Sequence, residues 1–198
     1  MGRSVNCLVA LAALVAMAVP MILIGLAVFL FLGRPILFRQ ARAGLGGQAF
    51  ELVKFRSMRD LRDASGQPLP DEVRTPLMGR LLRRSRLDEL PELWNIARGD
   101  MAFVGPRPLL PATIASLGAA GVLRSSVRPG LTGLAQISGN TLLSMEEKLA
   151  LDLLYVRERG TEMDLWIIAQ TPLMMIRGEK VDSLLLEKAH AGGHSRQR

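Results

Sequence analysis

The feature that most constrains this chain is a long apolar run near its N-terminus. Residues 5–32 contain no formally charged side chain and are dominated by Leu, Val, Ala and Ile. As one straight helix the run would extend roughly 42 Å, more than the hydrocarbon core of a bilayer, which is about 30 Å thick. The run therefore predicts a membrane segment over residues 1–33. A cleaved signal peptide is the alternative, but no small-residue site followed by polar chain marks a cut.

Pro20 divides this run into two halves, each too short to span a bilayer alone. Because proline removes a backbone hydrogen bond and clashes with the preceding turn, we expect the helix to kink there. Arg3 precedes the run and Arg34 follows it, so the charge pattern does not fix an orientation. Two topologies remain open: a re-entrant helix that enters and leaves by the same face, which is the working hypothesis, and a kinked span.

Charge and cysteine content restrict the partners and the compartment. Lys and Arg outnumber Asp and Glu by 25 to 18, and the formal charge of +7 suits a phosphorylated substrate, lipid headgroups or nucleic acid. The only cysteine, Cys7, excludes an intramolecular disulfide and fits a reducing, cytoplasmic compartment. Both histidines, His190 and His194, lie near the end of residues 181–198, which we expect to form a flexible tail.

The body of the chain, residues 34–180, contains no histidine. This excludes Ser/His and Cys/His triads and a His-ligated zinc site in that part of the protein. The sequence also lacks a Walker phosphate loop and the G-x-G-x-x-G and G-x-S-x-G motifs. An enzyme that handles phosphate with this sequence therefore has to use carboxylates and arginines.

Local patterns predict a hairpin, a loop and an amphipathic helix directly after the membrane segment. Residues 35–40 and 49–55 alternate partly between apolar and polar side chains and flank three glycines, which indicates a β-hairpin. Residues 62–76 are polar and rich in Pro and Gly, which indicates a loop. Leu77 and Leu81 then share a helical face beside several arginines, a pattern typical of a helix at an anionic membrane surface. The solvated face of an ordinary helix is the alternative.

Apolar periodicity predicts further helices over residues 112–123, 144–155 and 161–176. Thr161, with Asp164 three residues later, is close to a capping box at the start of the last of these helices. Together the patterns predict an α+β fold. It is a mainly helical single domain with a β-hairpin, preceded by a kinked, re-entrant membrane helix.

The clearest chemical signal is SRLDELPELWN, residues 85–95. Pro91 disfavours helical geometry at Leu90 and suits the first turn of a new helix. We therefore expect Asp88 near a helix start, where backbone N–H groups and the helix dipole favour an ionised carboxylate. Adjacent residues of a helix point about 100° apart, so Asp88 and Glu89 are expected to hold different roles rather than share one proton. For such a motif in isolation, a simple helix cap is the alternative.

Four other motifs accompany this one. They are FRQARAGLGGQAFELVKFRSMR (38–59), GDMAFVGPRP (99–108), SVRPGLTGLAQISG (126–139) and LALDLLYV (149–156). With these motifs in this order, the sequence resembles the bacterial sugar transferases that act as monotopic phosphoglycosyl transferases on polyprenol phosphate. The resemblance is to the small form of the family, and it extends from the hydrophobic helix to about Gly178.

The resemblance implies a reaction in which a sugar 1-phosphate moves from a UDP-sugar to a polyprenol phosphate such as undecaprenyl phosphate, with release of UMP. It further implies that Asp88 is the nucleophile that forms a covalent phospho-aspartate intermediate. An ionised carboxylate needs no general base, which suits a body without histidine. Mg²⁺ bound by Asp88 and the phosphates would neutralise the diphosphate. Glu89 is expected to handle the metal or the acceptor.

Arginines are expected to complete the substrate site, because guanidinium groups match phosphate oxygens in two-point geometry. Arg107, between two prolines, is the first candidate for the nucleotide end, and Arg128 is the second. Lys54 and Arg56 equally suit the membrane interface, and Asp152 is expected to orient an arginine rather than react. The substrate-binding candidates are Lys54, Arg56, Arg107, Pro108, Arg128, Gly130, Gln136 and Asp152.

The sequence departs from the family after Gly139, where many members have an arginine and, soon afterwards, a tryptophan. Here Asn140 and Thr141 follow the glycine, and Met145 occupies the aromatic position. The departure affects recognition of the sugar rather than the phosphoryl chemistry.

The expected partners are a UDP-sugar, polyprenol phosphate and membrane lipids, with the catalytic domain on the cytoplasmic face of the membrane. Nucleic acid is not expected, because one Tyr and two Trp give few stacking aromatics. Two rival functions remain: a non-enzymatic, membrane-anchored binder of anionic lipid, and a glycosyltransferase that releases UDP. The second rival is disfavoured because metal-dependent glycosyltransferases commonly carry an Asp-x-Asp motif, which this sequence lacks.

Overall fold

The structure is a computed structural model that describes the backbone of residues 2–194 and the side chains of residues 2–191. It is mostly helical with two small sheets, one of them a hairpin, which confirms the predicted combination of helices and hairpin. In chain order the elements are α1 (Arg3–Ala16), α2 (Ala18–Leu32), β1 (Leu37–Ala43), β2 (Ala49–Phe55), α3 (Asp71–Arg74), α4 (Leu77–Arg84), α5 (Glu92–Arg98), β3 (Ala102–Val104), α6 (Pro111–Ser116), α7 (Gly118–Arg124), β4 (Gly130–Thr132), α8 (Leu134–Ile137), α9 (Met145–Glu158), α10 (Thr161–Arg177) and α11 (Ser183–His194).

The apolar run forms two helices that meet at Met17 with a bend of 65°. Pro20 lies in the first turn of α2, where a proline removes no intrahelical hydrogen bond, so the break falls just before it. The predicted interruption near Pro20 is thus confirmed. Within residues 2–194, no single helix is long and apolar enough to cross a membrane, whereas α1 and α2 together meet that requirement as a bent pair.

Both helices of the run pack on the domain that follows. In α1, the Asn6 Oδ1 accepts a hydrogen bond from the Phe103 backbone N–H at 2.9 Å, and Ala10 is buried against α5. In α2, Val28 is buried in a cluster with Phe55 of β2. Other faces of both helices expose Leu, Val, Ile and Phe side chains. The run is therefore attached to the domain at both of its halves and keeps an apolar surface.

The hairpin is tied to α5 by one buried amide. Strands β1 and β2 pair antiparallel from Leu37 opposite Phe55 to Ala43 opposite Ala49. Asn95 of α5 has no exposed surface; its Oδ1 accepts from the Val53 N–H at 3.1 Å and its Nδ2 donates to the Glu51 carbonyl at 2.7 Å. Asn95 thus satisfies β2 backbone groups that would otherwise lack partners inside the protein.

A second sheet was not predicted. Its strands β3 and β4 are three residues each and pair in parallel, with Ala102 opposite Gly130 and Val104 opposite Thr132. The strands are too short for sequence alternation to reveal them. Beside them, apolar side chains of α8, α9 and α10 form the largest buried cluster.

The end of the chain differs from the predicted flexible tail. Residues 183–194 form α11, in which Leu186 and Ala189 are buried against the cluster that includes α9. The apolar residues Leu184–Leu186 favour a helix that packs on the domain, although the residues that follow are rich in Gly, Ser and Arg. Residues 195–198 of the predicted tail lie outside the described residues.

Two helix predictions also need correction. Residues 112–123 form the two short helices α6 and α7, which meet at Leu117, rather than one helix. The N-cap of α10 is Gly160, and Thr161 makes no capping bond. The capping box lies instead at α9, where the Ser144 and Glu147 side chains each bind the other's backbone N–H.

The packing of Asn95 predicts a large effect on stability. Replacing Asn95→Ala leaves the buried Val53 N–H and the partly buried Glu51 carbonyl without their partner and opens a void at a fully buried position, so we expect the free energy of unfolding to fall by about 2–4 kcal/mol. Gln48→Ala removes an amide from an exposed site next to β2 and is expected to change it by less than about 0.5 kcal/mol. Denaturant unfolding of both purified variants in detergent checks this prediction. Equal stability of Asn95→Ala and Gln48→Ala would contradict the role of Asn95 in joining α5 to β2.

Candidate active site

One cavity, of about 780 Å³, collects most of the side chains that the sequence singled out. Its walls come from the end of α4 and the segment after it, the segment that contains Arg107, α8, the start of α9 and the end of α10. Six of the predicted residues line it: Lys54, Asp88, Glu89, Arg107, Gln136 and Asp152. The fold therefore brings carboxylates and cations from distant parts of the chain into one space.

The two central carboxylates lie on a short 3₁₀ turn, Leu87–Glu89, that precedes α5. Arg86 enters the turn in the left-handed conformation (φ 53°), and Leu90 continues it with φ −54° and ψ −38°. Leu90 thus adopts helical geometry although the following Pro91 disfavours it, and Pro91 itself is the N-cap of α5. Asp88 and Glu89 are only 5% and 8% exposed, which is far below what a solvated helix cap requires.

Glu89 is held by two arginines. Its Oε1 accepts a hydrogen bond from Arg107 Nη2 at 2.6 Å, and Arg86 Nη1 lies 3.6 Å from Oε2. Asp88 has a different environment: burial raises the pKa of its carboxyl, the charge of Glu89 raises it further, and Lys54 opposes the shift. The adjacent carboxylates thus differ in their partners, as expected for residues with different roles.

A third acid, Glu92, was missed from the sequence. It lies in the first turn of α5, is 4% exposed, and is close enough to Glu89 and Asp88 to feel their charges. Burial, followed by the charge of Glu89, raises the pKa of Glu92 to about 8. Its spacing of three residues from Glu89 is a helical-face signal that could have identified it.

A buried ion pair supports the backbone at Arg107. Arg124 of α7 donates from Nε to the Asp152 Oδ2 at 2.8 Å, and both side chains are at most 5% exposed. The Arg124 Nη2 also donates to the Arg107 carbonyl at 2.5 Å. Asp152 therefore holds an arginine, in line with its predicted role, whereas Arg124 itself was missed.

Gln136 and Pro108 take part through different atoms. Gln136 donates from Nε2 to the Leu131 carbonyl at 3.2 Å and is 2% exposed. Pro108 does not line the cavity; its carbonyl accepts a hydrogen bond from Arg42 Nη1 at 3.2 Å. Gln136 is therefore placed to contact a ligand in the cavity. Pro108 contributes only its carbonyl, which binds Arg42.

Three predicted substrate contacts lie elsewhere. Arg128 donates to the Gly99 carbonyl at 2.9 Å and faces a separate cavity of about 270 Å³. A Cβ on Gly130 would lie 2.1 Å from the Gly105 backbone nitrogen, so this glycine serves strand packing and has no room for a phosphate. Arg56 donates to backbone carbonyls at the end of α2 and the following residues. None of these three residues lines the cavity that contains Asp88, and tertiary hydrogen bonds hold the two arginine side chains at other backbone carbonyls.

Comparisons with known proteins agree with the motifs in the cavity. The profile of the bacterial sugar transferases matches residues 1–178. A Bacillus subtilis protein described as the uncharacterized sugar transferase EpsL is 43% identical over 150 residues, 76% of this chain and 74% of that protein. The UDP-glucose:undecaprenyl-phosphate glucose-1-phosphate transferases of Caulobacter vibrioides and Escherichia coli are each 39% identical. The matches cover 82% and 75% of this chain, respectively. They cover 65% and 34% of those relatives, so the chain spans about two thirds or less of their length.

The raised pKa of Glu92 gives a prediction of pH dependence. A carboxyl whose pKa rises from 4.5 to about 8 on folding binds extra protons in the folded state, so its contribution to stability is lost as the pH rises through that window. Glu92→Gln keeps the shape and removes the titration. Relative to that of Glu92→Gln, we expect the free energy of unfolding of the native protein to fall by about 1–2 kcal/mol between about pH 6 and about pH 8.

Unfolding measured at both pH values checks this prediction. Glu72→Gln, at an exposed carboxylate of α3, is the matched control and should follow the native protein. Parallel pH profiles for the native protein and Glu92→Gln would show that Glu92 is already ionised in the folded state.

Proposed function

The chain belongs to the bacterial sugar transferase family, and from this we propose that it transfers a sugar 1-phosphate from a UDP-sugar to undecaprenyl or a related polyprenol phosphate. UMP is the second product, and the lipid-linked sugar begins the synthesis of a membrane-bound glycan. The named activities of the Caulobacter and Escherichia coli relatives support this reaction. The observation that carries it is the cavity in which one buried carboxylate, Asp88, stands beside another, Glu89, that arginines already hold.

Asp88 is the proposed nucleophile. One of its oxygens attacks the phosphorus that bears the sugar, the bond from that phosphorus to the bridging oxygen breaks, and UMP leaves with the bond electrons. The sugar phosphate is then joined to Asp88 as an acyl phosphate. An oxygen of the polyprenol phosphate attacks the same phosphorus, the bond to Asp88 breaks, and the carboxylate is regenerated. No general base is needed, because both attacking oxygens are already anionic.

Glu89 and Arg107 provide the proposed electrostatic frame. A guanidinium held at 2.6 Å from a buried carboxylate stays in a fixed place, so Arg107 can meet a phosphate oxygen without reorganisation. The side chain of Arg107 is 45% exposed, which leaves part of its fork open to the cavity. Lys54, also on the cavity wall, supplies a second positive charge for the diphosphate.

Magnesium is the proposed cofactor, with Asp88 as its protein ligand. Within the described residues no group of three or more His, Cys, Asp or Glu side chains could hold a metal. That fits an ion that usually binds through one or two carboxylates together with substrate phosphates and water. The desolvated carboxyl of Asp88, whose pKa is raised, suits such a cation. When bound, Mg²⁺ would neutralise charge on the diphosphate.

The acceptor is a lipid, so the site has to lie at a membrane surface. Leu77 and Leu81 of α4 are 65% and 55% exposed, and α4 leads directly to the turn that carries Asp88. We propose that this helix lies at the cytoplasmic surface and that α1 and α2 form a re-entrant pair. The packing of both helices on the same domain supports this topology, because a spanning α1 would carry its Asn6 contact to the opposite side.

The proposed nucleophile leads to a test of the reaction and of its mechanism. We expect the purified protein, with Mg²⁺, undecaprenyl phosphate and a panel of UDP-sugars, to release UMP with at least one donor. Asp88→Asn should lower kcat by at least about 1,000-fold, since an amide is a far weaker nucleophile. The donor alone should leave a phosphosugar adduct on the native protein, detectable by mass spectrometry.

Asp60→Asn, which removes a charge from an exposed site, is the matched control and should keep normal turnover. Release of UDP would favour a glycosyltransferase, and no turnover with any donor would favour a lipid-binding protein. Normal turnover by Asp88→Asn would refute the nucleophile assignment but not the overall reaction.

The proposed topology predicts the side from which each end of the apolar run can be labelled. In a Cys7→Ser background, Ser4→Cys and Arg34→Cys should both react with a membrane-impermeant thiol reagent from the cytoplasmic side. Inverted and right-side-out vesicles distinguish the two faces. Labelling of the two positions from opposite faces would refute the re-entrant arrangement.

A further inference from the structure

The loop after Gly139 has an unusual backbone conformation. Gly139 has φ 136° and Asn140 has φ 44°. Non-glycine residues rarely adopt positive φ, although asparagine does so more readily than most. Such a conformation persists where surrounding contacts fix it. This loop is therefore held in place by something outside itself.

The contacts that hold it come from Glu179, just beyond the end of α10. Its Oε1 accepts a hydrogen bond from Asn140 Nδ2 at 2.5 Å, and its Oε2 accepts from the Thr141 N–H at 3.0 Å and from the Thr141 hydroxyl. Burial opposes the charge of Glu179, but these bonds from Thr141 and Asn140 prevail and lower the pKa of its carboxyl. An ionised carboxylate thus joins the loop to the end of α10 through charge-assisted bonds.

The joined residues form part of the cavity wall. Asn140, Thr141 and Glu179 line the same cavity as Asp88 and Glu89. Glu179 takes one N–H of the Asn140 amide and both donors of Thr141, so the Asn140 Oδ1 and the lone pairs of the Thr141 hydroxyl are left to accept hydrogen bonds from a ligand. Acceptors fixed in this way suit the hydroxyl groups of a sugar, whereas the cations beside Asp88 suit phosphate.

We propose that Glu179 is a positioning residue for selection of the donor sugar. It fixes Asn140 and Thr141 in the orientation in which they contact the hydroxyls of the sugar. The inference rests on the proposed function and extends it to the positions at which this chain departs from its family. A site that hydrogen-bonds a particular hydroxyl discriminates strongly against a sugar in which that hydroxyl points elsewhere.

Glu179→Gln tests this inference, because an amide puts an N–H₂ group where one acceptor oxygen was and breaks at least one of the three bonds. The ratio of kcat/KM for the preferred UDP-sugar to that for its epimers is expected to fall by about tenfold. KM for the preferred donor should rise while kcat changes by less than about threefold. Glu187→Gln, an exposed carboxylate of α11, is the matched control and should leave the ratio unchanged.

A second pair of variants covers the case in which Glu179→Gln does not fold. Thr141→Val removes the hydroxyl and should reduce the discrimination between the preferred UDP-sugar and its epimers. Thr141→Ser keeps the hydroxyl and should discriminate as the native protein does. Unchanged discrimination in both Glu179→Gln and Thr141→Val, or an equal loss of kcat with every donor, would overturn the inference. Absence of UMP from the native protein would instead overturn the proposed function, so the two failures can be told apart.

Discussion

The burial of several carboxylates in one small region is the constraint on which the rest of the structure depends. Four of them are at most 8% exposed: Asp88, Glu89, Glu92 and Asp152. An uncompensated buried charge costs several kcal/mol, so each of these groups requires a cation or a proton. Arg124 compensates Asp152 and Arg107 compensates Glu89, which fixes the positions of both guanidinium groups. The cavity is consequently lined by charges that are already held in place before any substrate binds.

These pairs connect elements that are far apart in the chain. Asp152 on α9 holds Arg124 on α7, Arg124 holds the Arg107 carbonyl, and the Arg107 side chain holds Glu89. On the other side of the same turn, α5 packs against α1 of the apolar run. The turn that carries Asp88 therefore lies between the helices α7 and α9 of the domain and the segment expected in the membrane. This arrangement suits a reaction in which one substrate is dissolved and the other is a lipid.

The features that could be predicted from the sequence are those that are set by residues close together in the chain. The hairpin and the longer helices follow from alternation and apolar periodicity, and Asp88 and Glu89 are adjacent within one motif. Glu92 and Arg124 were missed because their importance comes from burial and from partners that only the fold supplies. Arg128 was misplaced for the same reason, since a distant carbonyl decides where its side chain points. Strands β3 and β4 pair across the chain and have no local pattern long enough to reveal them.

Glu92 also bears on the proposed role of Asp88 as a nucleophile. Burial and the neighbouring charge of Glu89 raise the pKa of both Asp88 and Glu92. With a pKa of about 8, Glu92 retains its proton at neutral pH. Glu89 instead lies against two arginines, Arg107 and Arg86. A neutral Glu92 removes one negative charge from the surroundings of Asp88 and so favours the ionised form, which is the form that can attack phosphorus.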